Sequence, residues 1–225
     1  MGSPSLPTVG LLIDILGAAI LVSAFLIVSS RSLAFYVRLF ALQSLSLGGV
    51  AVLVVVGYGE MHILIPAILT IIVKAIVIPV VLTRVIERIQ VQKEIGFSIN
   101  IAASLLICGG LVILADSVAQ SILSGRGADI TAVSRVLSAS IAIMLIGLFL
   151  MMTRKNAVTQ IIGLLTMENG VFLSGLSITY GMPYIVEVGI FFDILVAVLI
   201  LGVIVFRINR TFDSIDIDSL RSLRH

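Results

Sequence analysis

Three ionisable residues, Lys74, Glu168 and Asp193, lie in the middle of long apolar segments of the sequence. A charged side chain at the centre of a bilayer costs about 2.5 to 3.5 kcal/mol, so three unpaired ones would cost roughly 10 kcal/mol. Charges this costly require partners or a function. A low dielectric favours the neutral forms of a carboxyl and an ammonium group, and groups near neutrality exchange protons. The pattern is typical of a proton relay.

A purely structural interpretation of these residues stays open. Glu168 would then be a protonated carboxyl that is hydrogen-bonded to a neighbouring helix, and Lys74 would belong to a buried ion pair that only fixes packing. In either case a buried lysine needs a partner, which we expect at Glu168 or on a neighbouring subunit. Gln43 is a further polar residue near the middle of a segment, and Glu187 lies nearer a segment end.

The composition identifies the class of protein. Of 225 residues, 60% are hydrophobic and 12% are charged, against about 45 to 50% and about 25% in soluble domains. This excludes an ordinary soluble domain, a disordered chain and a nucleic-acid-binding protein. A spanning helix needs about 20 apolar residues. The sequence therefore predicts an all-α polytopic membrane protein with seven transmembrane helices, at roughly 7–30, 33–57, 61–83, 96–115, 134–153, 157–180 and 184–206.

The basic residues predict the orientation of these helices. Eleven of the fourteen Lys and Arg residues fall on one side of the membrane, Arg126 and Arg135 fall on the other, and Lys74 lies inside a span. By the positive-inside rule, the N-terminus is outside and the C-terminus is cytoplasmic. We expect a four-helix N-terminal part, an outer loop, a three-helix C-terminal part and a cytoplasmic tail, at residues 1–115, 116–133, 134–206 and 207–225.

The third segment has two further features. Pro66 and Pro79 flank Lys74, and each proline removes a backbone hydrogen bond, so the helix around the lysine should be loosened. Beyond the segment, apolar residues recur at helical spacing among charged ones, which predicts a continuation as a short interfacial helix. These apolar residues are Leu82, Val85, Ile86 and Ile89. Glycines in the sixth and seventh segments, including Gly163 and Gly170, predict close helix contacts.

Metal and covalent chemistry have little support in the sequence. The chain has one cysteine, Cys108, and two histidines, His62 and His225. One thiol forms no disulfide within the chain and holds no iron–sulfur cluster, which takes about four cysteines. We therefore predict no catalytic residues, no metal site and no cofactor in this chain.

Several short motifs resemble those of a known membrane family. Glu168-Asn169-Gly170, then Val186-Glu187-Val188-Gly189, Asp193 and Gly202 to Ile208 resemble hydrogenase-4 component E, the seven-span subunit of formate hydrogenlyase and related membrane-bound nickel–iron hydrogenase complexes. The resemblance is strongest over residues 155–225 and only topological over the first 150.

The last three segments resemble the three-helix K-type subunit of complex I. That subunit carries a midplane carboxylate in its second helix, which Glu168 matches, and another in its third helix, which Asp193 matches, with Glu187 as an alternative. The tail around Ile217-Asp218-Ser219-Leu220 resembles the cytoplasmic end of the same subunit.

The resemblance implies a non-catalytic subunit of a proton-translocating redox complex in the inner membrane of a prokaryote. Its partners would be large antiporter-like membrane subunits. The tail has two open interpretations, a solvated end or a docking strip for a cytoplasmic partner such as the redox arm. The resemblance implies Glu168 and Asp193, or Glu187 as the alternative, as carboxylates of the proton pathway. Lys74 and Gln43 join the predicted pathway because they lie near the middle of their segments. Two alternatives stay open: a structural clamp of such a complex, and a cation/proton antiporter subunit, although seven spans are few for an alternating-access transporter.

Overall fold

A computed structural model describes residues 6–59, 63–89, 99–124 and 131–179, and every element in these ranges is helical. In chain order the elements are α1 (Leu6–Ser29), α2 (Leu33–Tyr58), α3 (Leu64–Leu69), a π-helical segment (Thr70–Val77), α4 (Ile78–Ile89), α5 (Ile101–Leu123), α6 (Thr131–Thr153) and α7 (Ala157–Thr179). The predicted seventh span, with Glu187 and Asp193, and the tail lie outside the described residues.

Six stretches in the described ranges are long and apolar enough to cross a membrane, and each overlaps one of the first six predicted spans. They are Thr8–Ser29, Leu33–Gly57, Ala67–Glu87, Ile101–Leu123, Arg135–Thr153 and Ala157–Ser177. Their length follows from the bilayer, because about 20 residues at 1.5 Å each cross a hydrocarbon core of about 30 Å. The prediction of an all-α polytopic membrane protein is confirmed.

The predicted outer loop at 116–133 is too long, because α5 continues to Leu123 and α6 begins at Thr131. Polar side chains at the start of the predicted loop lie within the helix: Gln120 Nε2 donates to Asp116 Oδ2, one turn earlier, at 2.7 Å. Another side of the same stretch is buried through Ala115, Ala119 and Leu123. A helix with one polar face and one packed face has no reason to end at Asp116.

The third span is a succession of α3, the π segment and α4 without a break. The predicted continuation beyond residue 83 is present, since α4 runs to Ile89. However, its apolar residues Leu82, Val85 and Ile86 are buried in the protein core. The amphipathic pattern therefore marks packing against other helices of the chain, whereas we had expected a helix lying in the membrane interface.

Two contacts show that α1 and α6 run in the same direction. Near their beginnings, Arg135 Nη2 donates to Asp14 Oδ2 at 2.6 Å, with both side chains partly exposed. At their ends, Arg154 Nη2 donates to the carbonyl of Val28 at 2.5 Å. This parallel arrangement agrees with the alternation of spans, which places the first and fifth spans in the same direction.

Buried apolar side chains form two large cores at different heights in the bundle. The first core takes residues from 24–28 of α1, 33–40 of α2, 78–86 of α4 and 158–165 of α7, among others. The second core takes residues from 9–20 of α1, 47–55 of α2, 63–67 of the third span and 172–176 of α7.

Between the two cores, each of these helices carries buried polar side chains, which we call the polar layer. It contains Ser23, Gln43, Ser44, Thr70, Lys74, Thr166, Glu168 and Asn169, all at most 6% exposed. Because apolar packing lies on both sides of it, the polar layer sits at mid-height in the bundle.

Candidate functional site

A buried ion pair forms the centre of the polar layer. Lys74 Nζ lies 2.5 Å from Glu168 Oε1, and the two side chains are each 3% exposed. Lys74 is the eighth residue of the 21-residue span Ala67–Glu87, and Glu168 is the twelfth of the 21-residue span Ala157–Ser177. Both charges therefore lie well inside their spans. The expectation that Lys74 is paired with a buried carboxylate is confirmed.

The backbone around Lys74 has π-helical geometry from Thr70 to Val77. The loosening expected from Pro66 and Pro79 thus takes the form of a wider helix, in which the N–H of Ile78 bonds to the carbonyl of Val73, five residues earlier. Pro79 has no N–H to donate, and its ring crowds the carbonyl four residues before it, so the ordinary α register is disfavoured here. Lys74 therefore extends from a locally irregular stretch, a geometry frequent at functional sites.

A second cluster in the polar layer joins α1, α2 and α7. Gln43 Nε2 donates to the carbonyl of Ile20 at 3.2 Å. Asn169 Nδ2 donates to Gln43 Oε1 at 3.1 Å and to Ser44 Oγ at 3.3 Å. Since Asn169 follows Glu168 in the sequence, the ion pair and the amide cluster occupy adjacent positions of one helix.

Three consecutive residues of α7 contact three different neighbours. Glu168 binds Lys74 in the third span, and Asn169 binds α2. At Gly170, a Cβ atom would stand 2.8 Å from the carbonyl oxygen of Ser140 in α6. Successive residues of an α-helix point about 100° apart, so three neighbours enclose the helix at this height. The rotation of α7 about its own axis is thereby set.

Close contact between α6 and α7 depends on glycine, as predicted for Gly163 and Gly170. A Cβ atom on Gly163 would approach the carbonyl oxygen of Gly147 to 3.0 Å, and one on Gly147 would approach the Met167 nitrogen to 2.5 Å. The two backbones therefore touch where these glycines face each other. Gly147, on α6, was not anticipated from the sequence.

Among the predicted pathway residues, the structure brings together Lys74 and Glu168 and places Gln43 in the same polar layer. Glu187 and Asp193 lie outside the described residues. Sequence reasoning missed Ser44, Thr70 and Thr166, and it used Asn169 only as part of a motif. A signal for them existed: neutral polar residues recur near the middle of three spans that also contain Gln43, Lys74 or Glu168.

The pair offers proton-transfer chemistry more readily than bond-making chemistry. A carboxylate and an ammonium in contact can share or exchange a proton, and their charges are held out of water by the surrounding helices. Within residues 6–59, 63–89, 99–124 and 131–179, no group of three His, Cys, Asp or Glu side chains gathers as metal ligands would.

Comparison with known proteins places the chain among membrane subunits of redox complexes. The family described as NADH-ubiquinone/plastoquinone oxidoreductase chain 4L matches residues 136–225. An uncharacterized protein of Mycobacterium tuberculosis is 34% identical over 95% of this chain and 96% of its own length. Hydrogenase-4 component E of Escherichia coli K12 is 23% identical over 96% of this chain and 99% of its own. No solved structure matches the chain significantly.

Proposed function

We propose that the polar layer of this chain is part of a proton pathway through the membrane arm of a redox complex. The proposal starts from the family of the chain, which is that of hydrogenase-4 component E. The chain is a membrane subunit in a family related to complex I. In this proposal it catalyses no redox reaction itself. It lies in a prokaryotic inner membrane beside antiporter-like subunits of a hydrogenase or formate hydrogenlyase-like complex.

The observation that carries the proposal is the Lys74–Glu168 pair inside two spans. Burying two charges is expensive, and a well-packed apolar pair of similar volume would often be as stable or more stable. The buried charges therefore stabilise the fold no better than an apolar pair would, so packing alone does not explain them. A proton pathway supplies a reason, because moving a proton between these groups requires that both can change charge.

In the proposed pathway, Glu168 is the proton-carrying group and Lys74 controls how strongly Glu168 holds its proton. Gln43 supports the same layer through hydrogen bonds. Asp193 and Glu187 are proposed as the next carboxylate, with Asp193 preferred and Glu187 as the alternative.

A structural clamp is the second candidate, because the same ion pair joins the third span to α7. For a clamp, only the contact between the two helices matters. A neutral hydrogen-bonded pair at these positions should then serve as well as the charged one.

The deciding experiment compares Glu168→Gln with the double variant Lys74→Gln/Glu168→Gln. The single variant leaves a buried lysine without its carboxylate, which costs about 3 to 5 kcal/mol, so its assembly is expected to suffer. The double variant has no buried charge at this pair and two amides that can bond to each other. A proton pathway predicts that the double variant assembles and transfers electrons while proton translocation into sealed vesicles falls at least tenfold.

The matched control removes a second ion pair, by Asp14→Asn/Arg135→Gln. That pair is partly exposed, and its loss should leave assembly, electron transfer and proton translocation close to wild type. Near-normal translocation by the Lys74→Gln/Glu168→Gln complex would overturn the pathway and favour the clamp.

A further inference from the structure

Two buried oxygen atoms of α7 have no hydrogen-bond partner among the described residues: Thr166 Oγ1 and Asn169 Oδ1. Both side chains are 0% exposed. Leaving a buried polar atom without a partner is destabilising, so we expect these two atoms of one helix face to share a partner.

The orientation of the Asn169 amide follows from a chain of hydrogen bonds. The carbonyl of Ile20 can only accept, so Gln43 must present Nε2 to it. Gln43 Oε1 is then left to accept, and Asn169 must donate to it through Nδ2. Asn169 Oδ1 therefore points away from Gln43 and can accept a hydrogen bond from another donor. In the flipped orientation, Asn169 Oδ1 would face Gln43 Oε1, and neither oxygen could donate.

Thr166 is the residue best placed to share a partner with this oxygen. Residues three apart on a helix are neighbours, with Cβ atoms about 5 to 6 Å apart. Two O–H···O bonds of about 2.8 Å in series span up to about 5.6 Å. A single water molecule can therefore donate to Asn169 Oδ1 and also bond to the Thr166 hydroxyl, which both donates and accepts.

We propose that Thr166 and Asn169 bind one internal water molecule in the polar layer. The water completes the hydrogen bonds of Asn169 and so holds the amide that ties α7 to Gln43 and Ser44. Thr166 is thus a positioning residue, which acts on α7 through the water and Asn169. The water site is independent of whether Glu168 carries protons.

Thr166→Val tests the site by the sign of its effect on the melting temperature. Valine matches threonine in shape but lacks the hydroxyl. At a dry site the substitution removes an unsatisfied polar atom, so stability should stay the same or rise. At a hydrated site it costs the water one of its bonds and leaves Asn169 Oδ1 without a donor. We expect the native assembly to melt about 2 to 4 °C lower.

Two further variants and a structure complete the test. Thr166→Ser keeps the hydroxyl and should recover most of the loss. The control Thr153→Val removes a buried hydroxyl that bonds to the Phe149 carbonyl of its own helix. Its effect on the melting temperature should therefore be the same with and without the Asn169 side chain. Thr166→Val and Asn169→Leu should be non-additive, because both act on the same water.

A high-resolution structure of the intact complex should show an ordered water within hydrogen-bond distance of Thr166 Oγ1 and Asn169 Oδ1. An unchanged or raised melting temperature for Thr166→Val would overturn the water site. Additive effects of Thr166→Val and Asn169→Leu would do the same, as would a side chain found in the place of the water.

Discussion

At the scale of single residues, several buried polar side chains join one helix to another, as Gln43, Lys74 and Asn169 do. Arg154 is an example outside the polar layer. Counted from the sequence as one of the cytoplasmic charges, it is only 3% exposed, and its Nη2 donates to the carbonyl of Val28. Val28 lies in the last turn of α1, where carbonyls lack partners within the helix and a cation is favourable. Arg154 therefore joins the end of α6 to the end of α1.

Replacing Arg154 by methionine should lower stability. The variant Arg154→Met keeps much of the side-chain volume but removes the charged hydrogen bond, which is worth about 1.5 to 3 kcal/mol. We expect a lower melting temperature for the purified assembly. The adjacent Lys155 is exposed, so Lys155→Met should change stability by no more than about 0.5 kcal/mol. Equal effects of the two substitutions would show that Arg154 has no such role.

At the scale of elements, the contact between α6 and α7 decides where Glu168 points. Glycines allow the two backbones to touch, and the same stretch of α7 carries the ion pair and the amide cluster. Displacing α7 from α6 should therefore disturb the polar layer as well as the packing. Stability and site geometry are linked through this one interface.

The variant Gly147→Ala tests this link. An added Cβ would lie 2.5 Å from the Met167 nitrogen and 2.7 Å from the Gly163 oxygen, both backbone atoms that cannot turn aside. We expect the free energy of unfolding to fall by about 1 to 3 kcal/mol, measured as a lower melting temperature. Proton translocation should also fall, because Glu168 directly follows the displaced Met167.

Gly109 provides a matched control on a different helix. A Cβ atom at Gly109 of α5 would meet nothing within 4 Å, and alanine is the better helix former by about 1 kcal/mol. Gly109→Ala should therefore leave the isolated chain as stable as before or slightly more so. A Gly147→Ala protein as stable as Gly109→Ala would contradict the proposed close contact.

At the scale of the whole molecule, the spans of the bundle differ in how much of their surface is buried by the other helices. Helix α5 is the least buried of the six candidate spans, and Leu106 and Ile113 are 78% and 70% exposed. In a membrane protein such a face contacts lipid or another subunit. In contrast, α7 is the most buried span, which suits the helix that carries Glu168.

The predicted orientation of the bundle can be checked by cysteine labelling in intact cells. Cys108 is buried, and a Cys108→Ser background removes it. Ser124 follows the last residue of α5, Lys155 lies just beyond the end of α6, and both are exposed. The predicted topology places them on opposite sides of the membrane. With the N-terminus outside, Ser124→Cys should react with a membrane-impermeant maleimide in intact cells, whereas Lys155→Cys should react only after the cells are opened. The reverse pattern would invert the topology.

The sequence by itself determined the class of protein, the approximate positions of six spans and which ionisable residues lie inside them. It did so because the cost of placing each residue in a bilayer depends mainly on that residue and its depth, which can be evaluated along one segment at a time. The K-type resemblance of the last segments also came from local motifs, and the family comparison confirms it.

Only the tertiary structure decided which polar residues meet. Lys74 and Glu168 are 94 residues apart, and Gln43 and Asn169 are 126 apart, so their contacts depend on the rotation and neighbours of each helix. A nearly uniform apolar span contains little information on rotation, because lipid and helix neighbours are similarly apolar. The end of α5 and the π-helical geometry were decided in the same way, by packing on a neighbouring helix and by backbone hydrogen bonds that form only in the folded chain.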